Sequence, residues 1–183
     1  IDNYRFILEE LLLNEKLGVI FKPKNIKHLN RRLEKFSGLL KSSIDTGRCI
    51  LLGKSGRHTS LQPALLAGFA SDVCVHAHLS SGTAAIECAS FNIPTLLIDR
   101  EGCPSSILSN LTKDKVVFKN WKDLIVGVNE YFKYNKQDNE FGNWGKLIYE
   151  LNYFRDGLGS KRKGEVLNKI NYFLNDGLSN KIA

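Results

Sequence analysis

Short apolar runs alternate along the chain with longer amphipathic stretches. Val19-Ile20-Phe21, Arg48 to Leu52, Val73 to Ala77, Thr95 to Ile98 and Val116-Val117-Phe118 are short and largely aliphatic or β-branched, and read as buried strands. Helical spacing fills the intervals. Tyr4 to Leu13 offers Phe6, Ile7, Leu11 and Leu12 among the candidates for a buried face. Lys27 to Leu40 reads as one charged helix with Leu29, Leu33, Phe36 and Leu40 as its apolar stripe. Leu61 to Phe69 is a short helix, Ala84 to Phe91 an apolar one that Pro94 cannot continue, and Trp121 to Phe132 an amphipathic one. Lys133 to Glu140 is polar and charged and reads as a linker. Trp144 to Leu151 and Gly164 to Leu174 predict two further helices. Strands alternating with helices predict an α/β fold: a doubly wound parallel sheet of about five to six strands with helices on both faces, plus extra C-terminal helices. The sheet domain is expected over 1–135 and the helical extension over 136–183.

The candidate chemistry lies in the turn between the third and fourth strands. Ser80-Ser81-Gly82-Thr83 is small, hydroxylated and flexible, and opens the apolar helix. The first N–H groups of a helix have no partner within it, and the macrodipole adds partial positive charge there. Gly82 permits close approach of a ligand to the backbone, while Ser80, Ser81 and Thr83 supply donors, a combination suited to phosphate. A plain serine cap explains the same residues equally well. Glu87 stands about one turn after Thr83 on an otherwise apolar helix, so it is expected to face a cleft or a cation, where it can accept hydrogen bonds from ribose hydroxyls; a salt bridge or solvated face is the other reading.

Other candidates follow strand ends, where open α/β sheets bind ligands. Lys22-Pro23-Lys24 places Lys22 and Lys24 after the first strand, as phosphate contacts or as a solvated basic loop. His76 and His78 flank the end of the third strand on one face, with His78 nearer the turn; they are too few for a metal site without a carboxylate partner. Arg100 and Glu101 follow the fourth strand, within reach of a donor sugar or a missing domain. Gly53 to His58 is a basic loop lacking the P-loop pattern, and Thr59, Ser60 and Leu61 are weaker candidates.

Ser80-Ser81-Gly82-Thr83-Ala84-Ala85-Ile86-Glu87, followed by Asn92-Ile93-Pro94-Thr95, resembles the donor-binding half of GT-B glycosyltransferases, and the paired serines are similar to the Ser-Ser motif of bacterial transferases that use CMP-sugars. The resemblance spans roughly Val19 to Val117. Phe154-Arg155-Asp156-Gly157 is similar to the tail of bacterial surface-polysaccharide transferases. The resemblance implies a Rossmann-like domain that holds a nucleotide-sugar, with Ser80, Ser81, Gly82 and Thr83 on phosphate, Glu87 on ribose, and Lys22, Lys24, His78 and Arg100 nearby. It implies transfer of the sugar to a glycan acceptor without metal or cofactor, a general base on an N-terminal domain outside this chain, and inactivity of this half alone. It also implies C-terminal helices that pack on the same domain or cross back onto the missing N-terminal domain. Lys-Pro stands where some CMP-sugar transferases have His-Pro, which leaves the nucleotide open. A UDP-sugar 2-epimerase has the same fold, and a non-catalytic polysaccharide-assembly module is the alternative from another class.

Composition narrows the setting. The chain has 183 residues and is long enough for one domain with its own core. It begins with Ile1 and contains no methionine, as expected of a piece of a longer protein. Cys49, Cys74, Cys88 and Cys103 lack zinc-type spacing, and the first three sit in apolar runs as small hydrophobes, which fits a reducing cytoplasm. No apolar run is long enough to span a bilayer. The net charge of +7 implies an anionic partner. Nucleic acid is disfavoured because the aromatics fall mostly on apolar stripes. Lys161-Arg162-Lys163 either adds peripheral attraction to the inner face of the cell membrane or is simply solvated, and Arg155 is expected to pair with Asp156 across a tight turn.

Overall fold

A computed structural model of the chain describes residues 2–53, 63–79, 82–100, 102, 105–151, 153–154 and 156–175. These form a mixed α/β structure whose five strands are all parallel and fall into two sheets. In the first, β1 (Val19–Phe21) pairs with β2 (Cys49–Leu51), Val19 opposite Cys49 and Phe21 opposite Leu51. In the second, β4 (Thr95–Ile98) lies between β3 (Cys74–His76) and β5 (Val117–Phe118), with His76 opposite Leu97 and Leu97 opposite Val117.

The first sheet is backed by α1 (Asp2–Leu13), which buries Ile7, Leu8 and Leu11. Leu8 replaces the expected Leu12, which is 37% exposed. Leu8 and Leu11 pack with Cys49, Val19, Phe21, Leu39 and Leu40. The expected single helix over Lys27 to Leu40 is broken into α2 (Ile26–Arg32), a 3₁₀ turn at Glu34–Phe36 and α3 (Ser37–Asp45). At the break, Leu33 is fully buried, leaves helical geometry at φ −94°, ψ 4°, and shares its N–H between the carbonyls of Leu29 and Asn30. Such three-centre bonding marks a helix tightening at its end.

The second sheet holds the larger core. All four residues of β4 are buried, as expected of a central strand in a parallel sheet. Leu96 and Ile98 pack with Phe118, Leu124, Val128 and Phe141; Leu124 and Val128 lie one turn apart on α6 (Trp121–Lys133). Gly127 lets α6 come close: a Cβ there would sit 3.1 Å from the Phe118 ring. Alternation turns Thr95 and Leu97 the other way. Against β3 and β4 packs α5 (Thr83–Ser90), which α4 (Ala64–Phe69) touches in turn.

Residues 136–147 are fastened to the second sheet and its flanking turns. Lys136 pairs with Asp72 and Lys115 with Asp138. Gly142 accepts from the Thr95 N–H and donates to the Lys115 carbonyl, and the Trp144 indole donates to the Thr95 carbonyl at 2.9 Å. The expected linker over Lys133 to Glu140 begins with the last residue of α6 and continues as a largely exposed turn held by those two ion pairs, and the packed residues Phe141 and Trp144 follow it. The chain divides into compact units at Ile1–Leu147 and Ile148–Ala183.

The short helix α7 (Leu147–Leu151) opens the second unit, and α8 spans Gly159–Asn175 within it. The expected Arg155–Asp156 pair involves a residue outside those described; Asp156 receives two hydrogen bonds from Arg162, both at 2.8 Å, and one from the Leu158 N–H. Arg162, lying over the Phe154 ring, holds the Asp156 carboxyl far below the usual carboxylate range. Val166, Leu167, Ile170, Phe173 and Leu174 of α8 are exposed. Among the described residues no helix is long and apolar enough to cross a membrane.

Candidate functional site

The β3–α5 connection leaves the sheet at the C-terminal end of β3, and the chain re-enters through β4, whose own C-terminal end lies beside it in the parallel register. Parallel strands place both loops on one edge of the sheet. His78, Gly82 and Thr83 follow β3, and Arg100 follows β4, so the sheet gathers these four candidates on one edge. Ser80, Ser81 and Glu101 lie outside the described residues, as do residues 54–62 and Arg155.

Gly82 caps α5 with φ −84° and accepts from the Ile86 N–H. It is buried, because the 3₁₀ turn Ile107–Asn110 covers it: a Cβ at Gly82 would stand 2.7 Å from Cδ1 of Leu108. Leu79 is buried too, and its carbonyl accepts from the Ser106 hydroxyl at 2.9 Å. The same hydroxyl accepts from the Leu108 N–H. Sequence reasoning missed this cover. Its local signal is a hydroxyl followed by an apolar pair, Ser106-Ile107-Leu108, which predicts a cap but not its target.

Thr83 and Glu87 are both exposed, one helical turn apart. Among the described residues no hydrogen bond or ion pair engages Glu87. The inward side of α5 carries Ala85, Cys88 and Ala89, all buried. His78 is exposed, and its ring stands 6.2 Å from that of His76, which puts the two on one side of the strand end. Arg100 is exposed, in a loop turned by the Gly102 N–H donating to Asp99. Lys22 and Lys24 belong to the other sheet. Lys22 is half-buried and Lys24 exposed, beside Gly53, whose Cβ would meet Ile26 at 3.3 Å. No hydrogen bond or ion pair joins either lysine to the α5 turn among the described residues.

Beneath the turn the thiols of Cys74 and Cys88 meet, tying β3 to α5. Both crowd Gly68, where a Cβ would lie 2.9 Å from the sulfur of Cys88 and 3.4 Å from that of Cys74. The bond to Cys88, with burial, pushes the Cys74 thiol far up; the same bond holds Cys88 lower. Burial raises the Cys49 thiol as well. Cys49, Cys74 and Cys88 are free thiols, and they pack as the small hydrophobes expected. No cluster of three His, Cys, Asp or Glu among the described residues could hold a metal ion.

The arrangement presents the first amides of α5, which no described side chain caps, an exposed hydroxyl and carboxylate on one helix face, and an arginine on the adjoining loop. Amides and arginine favour an anion, and the carboxylate accepts hydroxyl protons. Comparisons with protein-family models, curated proteins and solved structures find no match for this chain.

Proposed function

We propose that this chain is the nucleotide-sugar-binding half of a GT-B glycosyltransferase that builds a cell-surface polysaccharide. The observation that carries the reading is Thr83 and Glu87 on the exposed face of α5, which leaves the same edge of a parallel sheet that Arg100 follows. Phosphate takes the amides of Thr83 and Ala84 with the Ser80 and Ser81 hydroxyls; Leu108 occupies the space over Gly82, so the ligand comes from the Thr83 side. Glu87 accepts from the ribose hydroxyls. Arg100 and His78 face the phosphates or sugar, and Lys22 and Lys24 offset charge on the leaving group. Electrostatic stabilisation of that kind is a large catalytic term and needs no metal. In this reading the two parallel sheets are parts of one doubly wound, Rossmann-like frame, and the acceptor and general base come from an N-terminal domain.

Thermal unfolding in the presence of CMP, UDP, GDP or dTDP tests the reading. One nucleotide is expected to raise the midpoint by about 5–10 °C at a hundredfold excess over its Kd. Glu87→Ala is expected to abolish that shift while leaving the ligand-free midpoint in place, because the side chain is exposed and unpaired among the described residues. A flat response to all four nucleotides overturns the proposal.

A further inference from the structure

The positive charge of the chain is concentrated. Between residues 22 and 44 stand Lys22, Lys24, Lys27, Arg31, Arg32, Lys35 and Lys41 against one carboxylate, Glu34, a surplus of six within a whole-chain net charge of +7. All but Lys22 are exposed, and none of the seven has an ion pair among the described residues. Lys27, Arg31 and Lys35 recur every fourth residue with no acidic neighbour between Lys27 and Arg32. Within α2 that spacing sets Lys27 and Arg31 one turn apart as a mildly unfavourable like-charge pair that an anionic surface relieves, and Lys35 follows in the 3₁₀ turn. Beside this face a cleft of about 300 Å³ opens between α2 and α3. Its lining is Leu33, Leu40, Ile44 and Leu51, with Asn30, Ser37 and Lys41 among them. Ile44 is 40% exposed.

We infer that the α2–α3 face docks on an anionic lipid surface, the cations meeting phosphate headgroups and the apolar cleft receiving acyl chain. Charge complementarity selects an anionic occupant, and the aliphatic lining selects one with an apolar part. A nucleic acid or acidic glycan satisfies the first demand only. Among the described residues no aromatic ring lines the cleft to stack a base or sugar. The face itself rests on Lys27, Arg31, Arg32, Lys35 and Lys41, none of which the donor-site reading uses, and the inference moves the expected membrane attraction away from Lys161-Arg162-Lys163, where Arg162 is engaged by Asp156.

Flotation of the full chain with phosphatidylcholine vesicles, with and without phosphatidylglycerol, tests it. Binding is expected only with phosphatidylglycerol and is expected to fall steeply with salt. Lys27→Glu/Arg31→Glu/Arg32→Glu, all exposed, is expected to weaken partitioning at least about a hundredfold with circular dichroism unchanged. Ile44→Asp is expected to weaken it through lost apolar contact together with one added negative charge, and Lys161→Glu/Lys163→Glu to leave it within about twofold. Equal binding to neutral vesicles, retention of binding by the triple variant, or loss with the Lys161/Lys163 variant each overturns the proposal. So does an Ile44→Asp protein that binds vesicles like the unaltered chain while duplex DNA or heparin displaces it, because that marks a general polyanion surface.

Discussion

The guanidinium of Arg48 reaches back from the start of β2 to the end of α1 and donates to the carbonyls of Leu11, Asn14 and Leu17 at 2.7–2.8 Å. Helix C-termini leave carbonyls without partners and carry partial negative charge, so one half-buried cation satisfies both demands. The last turn of α1 contains no basic residue of its own. Arg48→Ala is expected to lower stability by about 2 kcal/mol, and Arg48→Lys to recover only part of it, read by urea unfolding, because an ammonium lacks the planar fork. The sequence shows Arg48 only as the polar residue that opens an apolar strand. Its partners lie more than thirty residues upstream, so no local pattern identifies it. Glu87 is the opposite case: its spacing from Thr83 is enough to place the two on one face, because helix geometry alone sets that relation.

At the scale of elements, the turn over 141–144 closes one end of the second core. Gly142 has φ +68°, and a Cβ there would lie 2.6 Å from the backbone nitrogen of Thr95 and 2.8 Å from Pro94. Rigid backbone cannot yield as a flexible side chain would. Gly142→Ala is therefore expected to destabilise by roughly 2–4 kcal/mol in chemical denaturation, combining a left-handed backbone penalty with overpacking. Gly145, also at positive φ, meets nothing within 4 Å, so Gly145→Ala serves as the comparison and is expected to lose only the conformational penalty, about 1 kcal/mol. Strand positions and the limits of α5 were legible beforehand because apolar runs, Gly82 and Pro94 mark them locally. The break in the helix after Arg32 was not: the charged stripe continues through it, and the interruption comes from how Leu33 is buried.

At the scale of the whole molecule, ion pairs hold the returning chain to the sheet domain. Lys115 bonds to the Asp138 carboxylate and holds it below its ordinary value, with backbone N–H groups of Glu140 and Phe141 adding to the effect. A depressed carboxyl stabilises the fold above its unfolded pKa, and that contribution disappears as pH falls through the folded one. Asp138→Asn is therefore expected to lower stability at neutral pH, and the gap between variant and parent is expected to close as the medium is taken below about pH 4. Urea midpoints across that range check it; a gap independent of pH shows that charge is not the cause.

What the sequence determined by itself is the set of pieces: the five strands, the apolar helix between Gly82 and Pro94, the amphipathic α6, and the unbalanced charge from Lys22 onward. Periodicity, helix punctuation and net charge act over a few residues, so they survive without knowledge of the fold. Only the tertiary structure decided that Leu108 covers Gly82, that Trp144 and Gly142 seal β4, that Arg48 serves α1, and that a cleft opens beside the cations of α2. Each of those contacts joins residues far apart in the chain or depends on how two helices diverge, and its partner is set by where packing brings the backbone rather than by any propensity of the residue itself.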